Sequence, residues 1–321
     1  MNRGRLAIFL ALTSITIAEF VTGATPLTKI VTDPGSFFFF SIPTLFGIYG
    51  CGVILIREAA VAWGKGWPTI LMLGIAYGIL EEGVAAHTFF DPVNSTVGVF
   101  GSYGRVLGVN TTWAIEISIF HAAFSIALPI LFSRLIWPGM NNFRITGRKG
   151  IITILSLYLF TLTVLDAILP HRPPFIYSVA LFASAGILTY LSRRVPNNLF
   201  APGKLHRGGI NAKLLIAGLL FFPFIVALPR LQTALPPVIL NVELILGSVV
   251  AYWFIITRIR GKSPRASAVL AIGLTAPMML FGLVVDLTRN PLGIVAIFAL
   301  ICVELVSLRA SKTNYEYAAI S

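Results

Sequence analysis

The chain has 321 residues, 57% hydrophobic and only 11% charged, with a mean hydropathy of +0.88. That balance excludes an ordinary soluble domain and points to repeated membrane crossings, each needing about 20 apolar residues. The net charge of +12 does not mark a nucleic-acid binder, because the basic residues are scattered between apolar runs instead of forming a stripe.

About ten spans are expected, over 6–24, 37–62, 68–88, 112–137, 150–170, 174–192, 212–230, 236–257, 266–286 and 290–309. They predict an all-α polytopic membrane bundle forming one domain over 1–321. The first run, Leu6 to Ile17 behind Arg3 and Arg5, imitates a signal peptide. Glu19 and the weak small-residue site at Gly23-Ala24 favour an uncleaved helix instead. The breaks are punctuated by Asp33-Pro-Gly, Gly64-Lys-Gly-Trp-Pro68, Pro170-His-Arg-Pro-Pro174, Pro236-Pro237, Gly261-Lys-Ser-Pro264 and Asn290-Pro291. A basic linker, 193–211, separates a six-span front part (1–192) from a four-span back part (212–321).

Orientation follows from the cations. Of the 24 Lys and Arg, Lys29, Arg105, Arg172, Arg230 and Arg289 fall at odd-numbered connections; the other 19 fall at the termini and even-numbered ones. Cytoplasmic loops carry the excess of Lys and Arg, so both termini are expected in the cytoplasm of a cell-membrane protein. The partner on that side is a leaflet with anionic headgroups. Cys51 and Cys302 lie in apolar runs without metal-ligand spacing and read as packing residues. No glycine motif for phosphates sits at a strand-to-helix junction, so no cofactor is expected.

The chemistry lies in the third and fourth spans. Glu81 and Glu82 interrupt the apolar run Gly74 to His87, and Glu116 and His121 interrupt Trp113 to Ser125. Carboxylates in hydrocarbon cost several kcal/mol and usually face a cavity or a partner. At about 1.5 Å per helical residue, the Glu pair lies roughly 10 Å below the outer end of its span. His121 lies roughly 13 Å below the same surface. Glu19 and Glu243 reach similar levels. Gly78, Gly83, Ala85, Ala122 and Ala123 would let spans three and four approach closely. The pair is expected within hydrogen-bond or single-water reach of His121. On a regular helix the two acids would point about 100° apart and could serve separate tasks.

Between these spans runs an apolar, glycine-rich connection, 87–112, expected to fold back over the site as a lid; it holds sequons at Asn94 and Asn110. Arg57-Glu58 reads as an interfacial ion pair near the inner end of span two, and Glu304 as a similar interfacial group. Asp166 and His171 read as outer-end residues.

The Glu81-Glu82 pair on a small-residue helix, followed by Phe120-His-Ala-Ala-Phe-Ser125, resembles the CAAX-protease and bacteriocin-processing family of intramembrane glutamate proteases. That resemblance implies Glu81 or Glu82 as the base activating a water, with His121 contributing to the oxyanion and water site; Glu116 is expected to tune the site. The chain departs from the family pattern at Ala86, where an arginine would follow the acids. It also lacks a second intramembrane histidine, and Ile117 stands at an aromatic position. The stretch from Ile54-Leu-Ile-Arg-Glu through Gly66-Trp-Pro to Glu81-Glu-Gly also looks like uncharacterised prokaryotic membrane proteins. Two functions fit the residues: hydrolysis of a peptide substrate, or transport of a small substrate with the same acids as a proton or cation site.

Overall fold

The structure, a computed structural model, describes residues 3–197, 199, 210–259 and 264–320. Much of the basic linker, with Lys204, His206 and Arg207, and the turn at Gly261 with Arg260 and Lys262 lie outside them. Among the described residues nine helices are long and apolar enough to cross a membrane. They are α2 (Pro34–Ala62), α3 (Trp67–Ala85), α4 (Thr111–Ile136), α5 (Arg148–Ile168), α6 (Phe175–Arg194), α7 (Ala212–Leu231), α8 (Pro237–Ile259), α9 (Pro264–Leu287) and α10 (Pro291–Lys312). A tenth helix, α1 (Arg3–Ile15), is prolonged by a π-helical turn, Thr16–Phe20, and takes the place of the first expected span. It stops short of residue 24 and carries Arg3, Arg5 and Glu19.

Local chemistry sets these boundaries. Asp33 accepts a hydrogen bond from the Ser36 backbone N–H, and Pro34 occupies the first helical position. Helix α2 therefore starts three residues before the expected point and absorbs Phe37 to Phe40. At its other end Gly64 adopts a φ of 62°, which a side chain would resist, and the chain reverses. Pro68 in the first turn then opens α3. The four-residue turn 63–66 makes α2 and α3 an antiparallel hairpin, so residues 33 and 86 lie at the same end of the bundle.

Two apolar clusters hold the bundle. One joins α1 to α5 through Leu10, Tyr49, Ile70, Tyr77, Ile126 and Tyr158. The other joins α1 and α4 to α7, α9 and α10 through Ile17, Phe120, Phe124, Phe222, Met278 and Leu300. Helices α1 and α4 thus contribute to both. The outer surfaces of α6 and α8 show the opposite pattern: Phe175, Phe182, Ile187, Val238, Leu246 and Val250 are exposed. A soluble protein rarely leaves so much apolar surface open; a bilayer covers it. The chain is an all-α multi-pass membrane protein.

The connection between α3 and α4 is folded. Its strands β1 (Arg105–Val106) and β2 (Val109–Asn110) pair antiparallel. Phe89, Val97, Phe100 and Trp113 gather with Leu240 into a third apolar cluster. Asn110 is fully buried and donates to the carbonyls of Thr88 and Asp91. This role removes it as a glycan acceptor in the folded chain.

Candidate functional site

Helix α3 changes from α to π geometry at Glu81, over Glu81–Ala85, and α4 does the same at His121, over His121–Ala127. Such wide turns are rare and recur at functional sites. A wider turn also reduces the angle between consecutive side chains. Glu81 and Glu82 do not diverge to separate tasks. The His121 Nε2 lies 3.0 Å from Glu81 Oε2 and 3.0 Å from Glu82 Oε1. All three residues are buried.

Close approach of α3 and α4 makes this possible. A Cβ on Gly74 would stand 2.6 Å from Ala122 Cα, and one on Gly78 would stand 2.9 Å from Ser118 Cα. Glycine four residues apart is the usual device for such a crossing. Ala122 belongs to the contact as expected. Gly83 does not: it faces Leu181 of α6 and Phe89.

Surrounding groups orient the three. His121 Nδ1 lies 2.9 Å from Ser125 Oγ. The Thr88 hydroxyl donates to Glu82 Oε2 and in turn accepts from Trp113 Nε1 at 2.9 Å. Glu19, on the π turn of α1, joins through Tyr49, itself on a π turn of α2, Phe46–Gly50. The Tyr49 hydroxyl lies 2.5 Å from Glu19 Oε1 and 3.2 Å from Glu81 Oε1. A phenol has one proton, so it can donate to one of the two at a time. Thr25 donates to the other Glu19 oxygen at 2.7 Å.

The cluster is under-satisfied. Two carboxyl groups, Glu81 and Glu82, share one histidine, and a third, Glu19, stands behind Tyr49; among the described residues the only ion pairs of the three are those of Glu81 and Glu82 with His121. Glu81 Oε2 lies 3.0 Å from Nε2 but outside hydrogen-bond geometry. This buried oxygen therefore has no hydrogen-bond partner, and neither do the nearby hydroxyls of Tyr77 and Tyr158. Buried polar atoms of this kind call for an explanation such as a ligand, water or ion.

Of the other expected residues, Glu116 does not join the group. It follows α4 five residues before His121, about 140° around the helix, and forms an ion pair of 2.7 Å with Arg230 of α7. Sequence could not pair residues 114 positions apart. Glu243 makes no ion pair among the described residues. Glu304 is buried and accepts from the Thr275 hydroxyl of α9. His87, fully buried with a φ of 57°, lies 3.1 Å from Asp166 Oδ1 and ties the end of α3 to α5. His171 lies 3.3 Å from Asp91. Sequence reasoning missed Tyr49, Tyr77 and Thr88. Tyrosines in small-residue spans are too common to single out, and Thr88 gains its role only from the fold of the loop.

Comparison with known proteins agrees with the broad class and adds no activity. No curated protein and no solved structure matches the chain. A family model described as an uncharacterized membrane protein family matches residues 8–315, nearly the whole chain, and the protein belongs to that family.

Proposed function

We propose that this protein is a membrane-embedded hydrolase of the glutamate type, related to the CAAX-protease and bacteriocin-processing family and acting on a peptide at the Glu81–Glu82–His121 centre. The observation that carries the proposal is the convergence of both carboxylates on His121 Nε2, each at 3.0 Å, with Glu81 Oε2 left without a hydrogen bond. A water there donates to Glu81 Oε2 and becomes the nucleophile. Its hydroxyl bonds to the scissile carbonyl carbon, the C–N bond breaks, and the proton held by the carboxylate passes to the leaving amine nitrogen, giving a carboxylic acid and an amine. A desolvated carboxylate is a competent base for this task. Glu116, neutralised by Arg230, takes no part.

The alternative, a transporter using the same acids, needs a polar route from one face to the other. The polar groups in contact instead run from Thr25, beyond α1, through Glu19, Tyr49, Glu81, His121 and Glu82 to Thr88, beyond α3, each joined to the next by a hydrogen bond except Glu81 and His121, which meet as an ion pair. Residues 33 and 86 share one end of the α2–α3 hairpin, so both ends of this series lie toward the same face. That favours a centre served from one side. With both termini in the cytoplasm, as the Lys and Arg distribution implies, that side is the outside, and Thr88 couples the covering loop directly to Glu82.

Purified protein incubated with candidate membrane peptides tests the proposal. Wild type is expected to cleave, and Glu81→Gln and Glu82→Gln to lose at least a hundredfold in rate, as expected for a removed acid–base group. Equal cleavage by all three contradicts it. Flux in liposomes that Glu81→Gln abolishes, without any cleavage, decides for transport.

A further inference from the structure

We infer that Glu81, Glu82 and His121 bind a divalent transition cation of the zinc class. The inference rests on the reading of this cluster as a water-activating centre and changes how the water is activated: with a cation bound, Glu81 Oε2 would be a ligand and the cation would take over from it the polarising of the water. No ligand spacing in the sequence announces it, since the donors meet only across two helices.

Four observations carry it. The first is the donor set: one oxygen from each carboxylate and one imidazole nitrogen, all within 4.8 Å of one another. Two carboxylates and an imidazole are ordinary donors for zinc and its neighbours.

The second is spacing. Ligands about 2.0–2.1 Å from a tetrahedral cation stand about 3.3 Å apart. His121 Nε2 lies 3.0 Å from each of the two oxygens, so a small separation would accept the ion without moving either helix.

The third is the orphaned atom. Glu81 Oε2 is buried, aims at the group and has no hydrogen-bond partner. When His121 Nδ1 keeps its hydrogen for Ser125 Oγ, at 2.9 Å, Nε2 presents a lone pair. Three acceptors then face one another, an arrangement that a cation resolves. The excess of acids over cations in the cluster points the same way.

The fourth is the outer shell. Metal-bound histidines usually give their other ring nitrogen a hydrogen-bond partner, and metal-bound carboxylates are themselves hydrogen-bonded. Ser125 serves His121 in this way, Thr88 serves the free oxygen of Glu82, and Tyr49 serves Glu81. Three protein donors leave the fourth tetrahedral position for water, the pattern of catalytic zinc sites.

Metal binding to the intact protein in detergent tests the inference directly. The protein is stripped with a chelator, titrated with Zn2+ or Mn2+, and its metal content measured after gel filtration. Wild type is expected to retain about one equivalent of Zn2+. Glu81→Gln, Glu82→Gln and His121→Ala are expected to retain none, and Glu304→Gln, a buried acid elsewhere, to retain the full equivalent. Ser125→Ala keeps every ligand and is expected to bind one equivalent about 10–100-fold more weakly; this arm remains decisive if a ligand variant fails to fold. No uptake by wild type, equal uptake by the ligand variants, or an unchanged Kd in Ser125→Ala overturns the inference. Peptide cleavage is read separately. Cleavage by stripped protein that takes up no Zn2+ rejects the metal and leaves the hydrolase, whereas specific uptake without cleavage keeps the metal and rejects the hydrolase.

Discussion

Two buried charged groups sit at opposite ends of the α2–α3 hairpin, and their bonding differs. Near the turn, Arg57 and Glu58 form an ion pair of 2.5 Å with almost no exposure. Glu58 Oε1 also accepts from the Ile145 backbone N–H and Oε2 from that of Thr146, while Arg57 donates to the Met140 carbonyl. Two cations, Arg57 and, at 3.7 Å, Arg144, face the one carboxylate, and the group fastens the α4–α5 connection to α2. Toward the other end, Glu81 and Glu82 crowd one histidine, with Glu19 behind Tyr49, and Glu81 Oε2 is left without a hydrogen bond. A saturated pair is a fastening; an unsaturated cluster held this firmly has room for something that binds. Burial alone does not separate the two cases. Hydrogen-bond accounting does.

The comparison breaks first at the fastening. Arg57→Ala leaves buried Glu58 with only the half-exposed Arg144, at 3.7 Å, and is expected to cost about 3–5 kcal/mol, measured as unfolding free energy in one detergent. A loss under about 1 kcal/mol would mean that the pair is no more than a screened surface contact.

Next comes the crossing that builds the cluster. Gly74→Val places a branched side chain where a Cβ already meets Ala122 Cα at 2.6 Å. It is expected to cost about 1–3 kcal/mol by overpacking and to lower cleavage by displacing His121. Unchanged stability and cleavage together would show that α3 and α4 do not touch there.

The smallest effect sharpens the contrast most. In metal-stripped protein, Glu81→Gln removes one of three crowded acids, and the thermal midpoint is expected to equal or exceed that of wild type. Natural sites trade stability for function in this way. A clear drop in the midpoint would place Glu81 with Glu58, as a structural acid.

Much of this is legible in the sequence, for identifiable reasons. Apolar runs near 20 residues, broken at Asp33-Pro34, Gly64 and Pro68, mark the helices because spanning length and turn chemistry are local properties. Glu81, Glu82 and His121 stand out because ionisable groups in apolar runs are costly, and their similar depth beneath one surface implies that they meet. What stays hidden is non-local or conformational. The π turns begin at Glu81 and His121, where both acids meet one nitrogen, and nothing local in the sequence marks them. Arg230 claims Glu116 from three helices away. Asn110 is buried as a hydrogen-bond hub because a loop rich in apolar residues folds on itself, which its sequon pattern conceals.

The central claim is that Glu82 and His121 act as one unit across the α3–α4 crossing, and a double-mutant cycle tests it without any substrate. Unfolding free energies of wild type, Glu82→Gln, His121→Ala and the double variant are measured in the same detergent. Groups in direct contact couple by about 0.5–3 kcal/mol, and a coupling in that range is the predicted result. Losses that simply add, to within about 0.3 kcal/mol, would contradict the account and leave the carboxylate pair without its histidine.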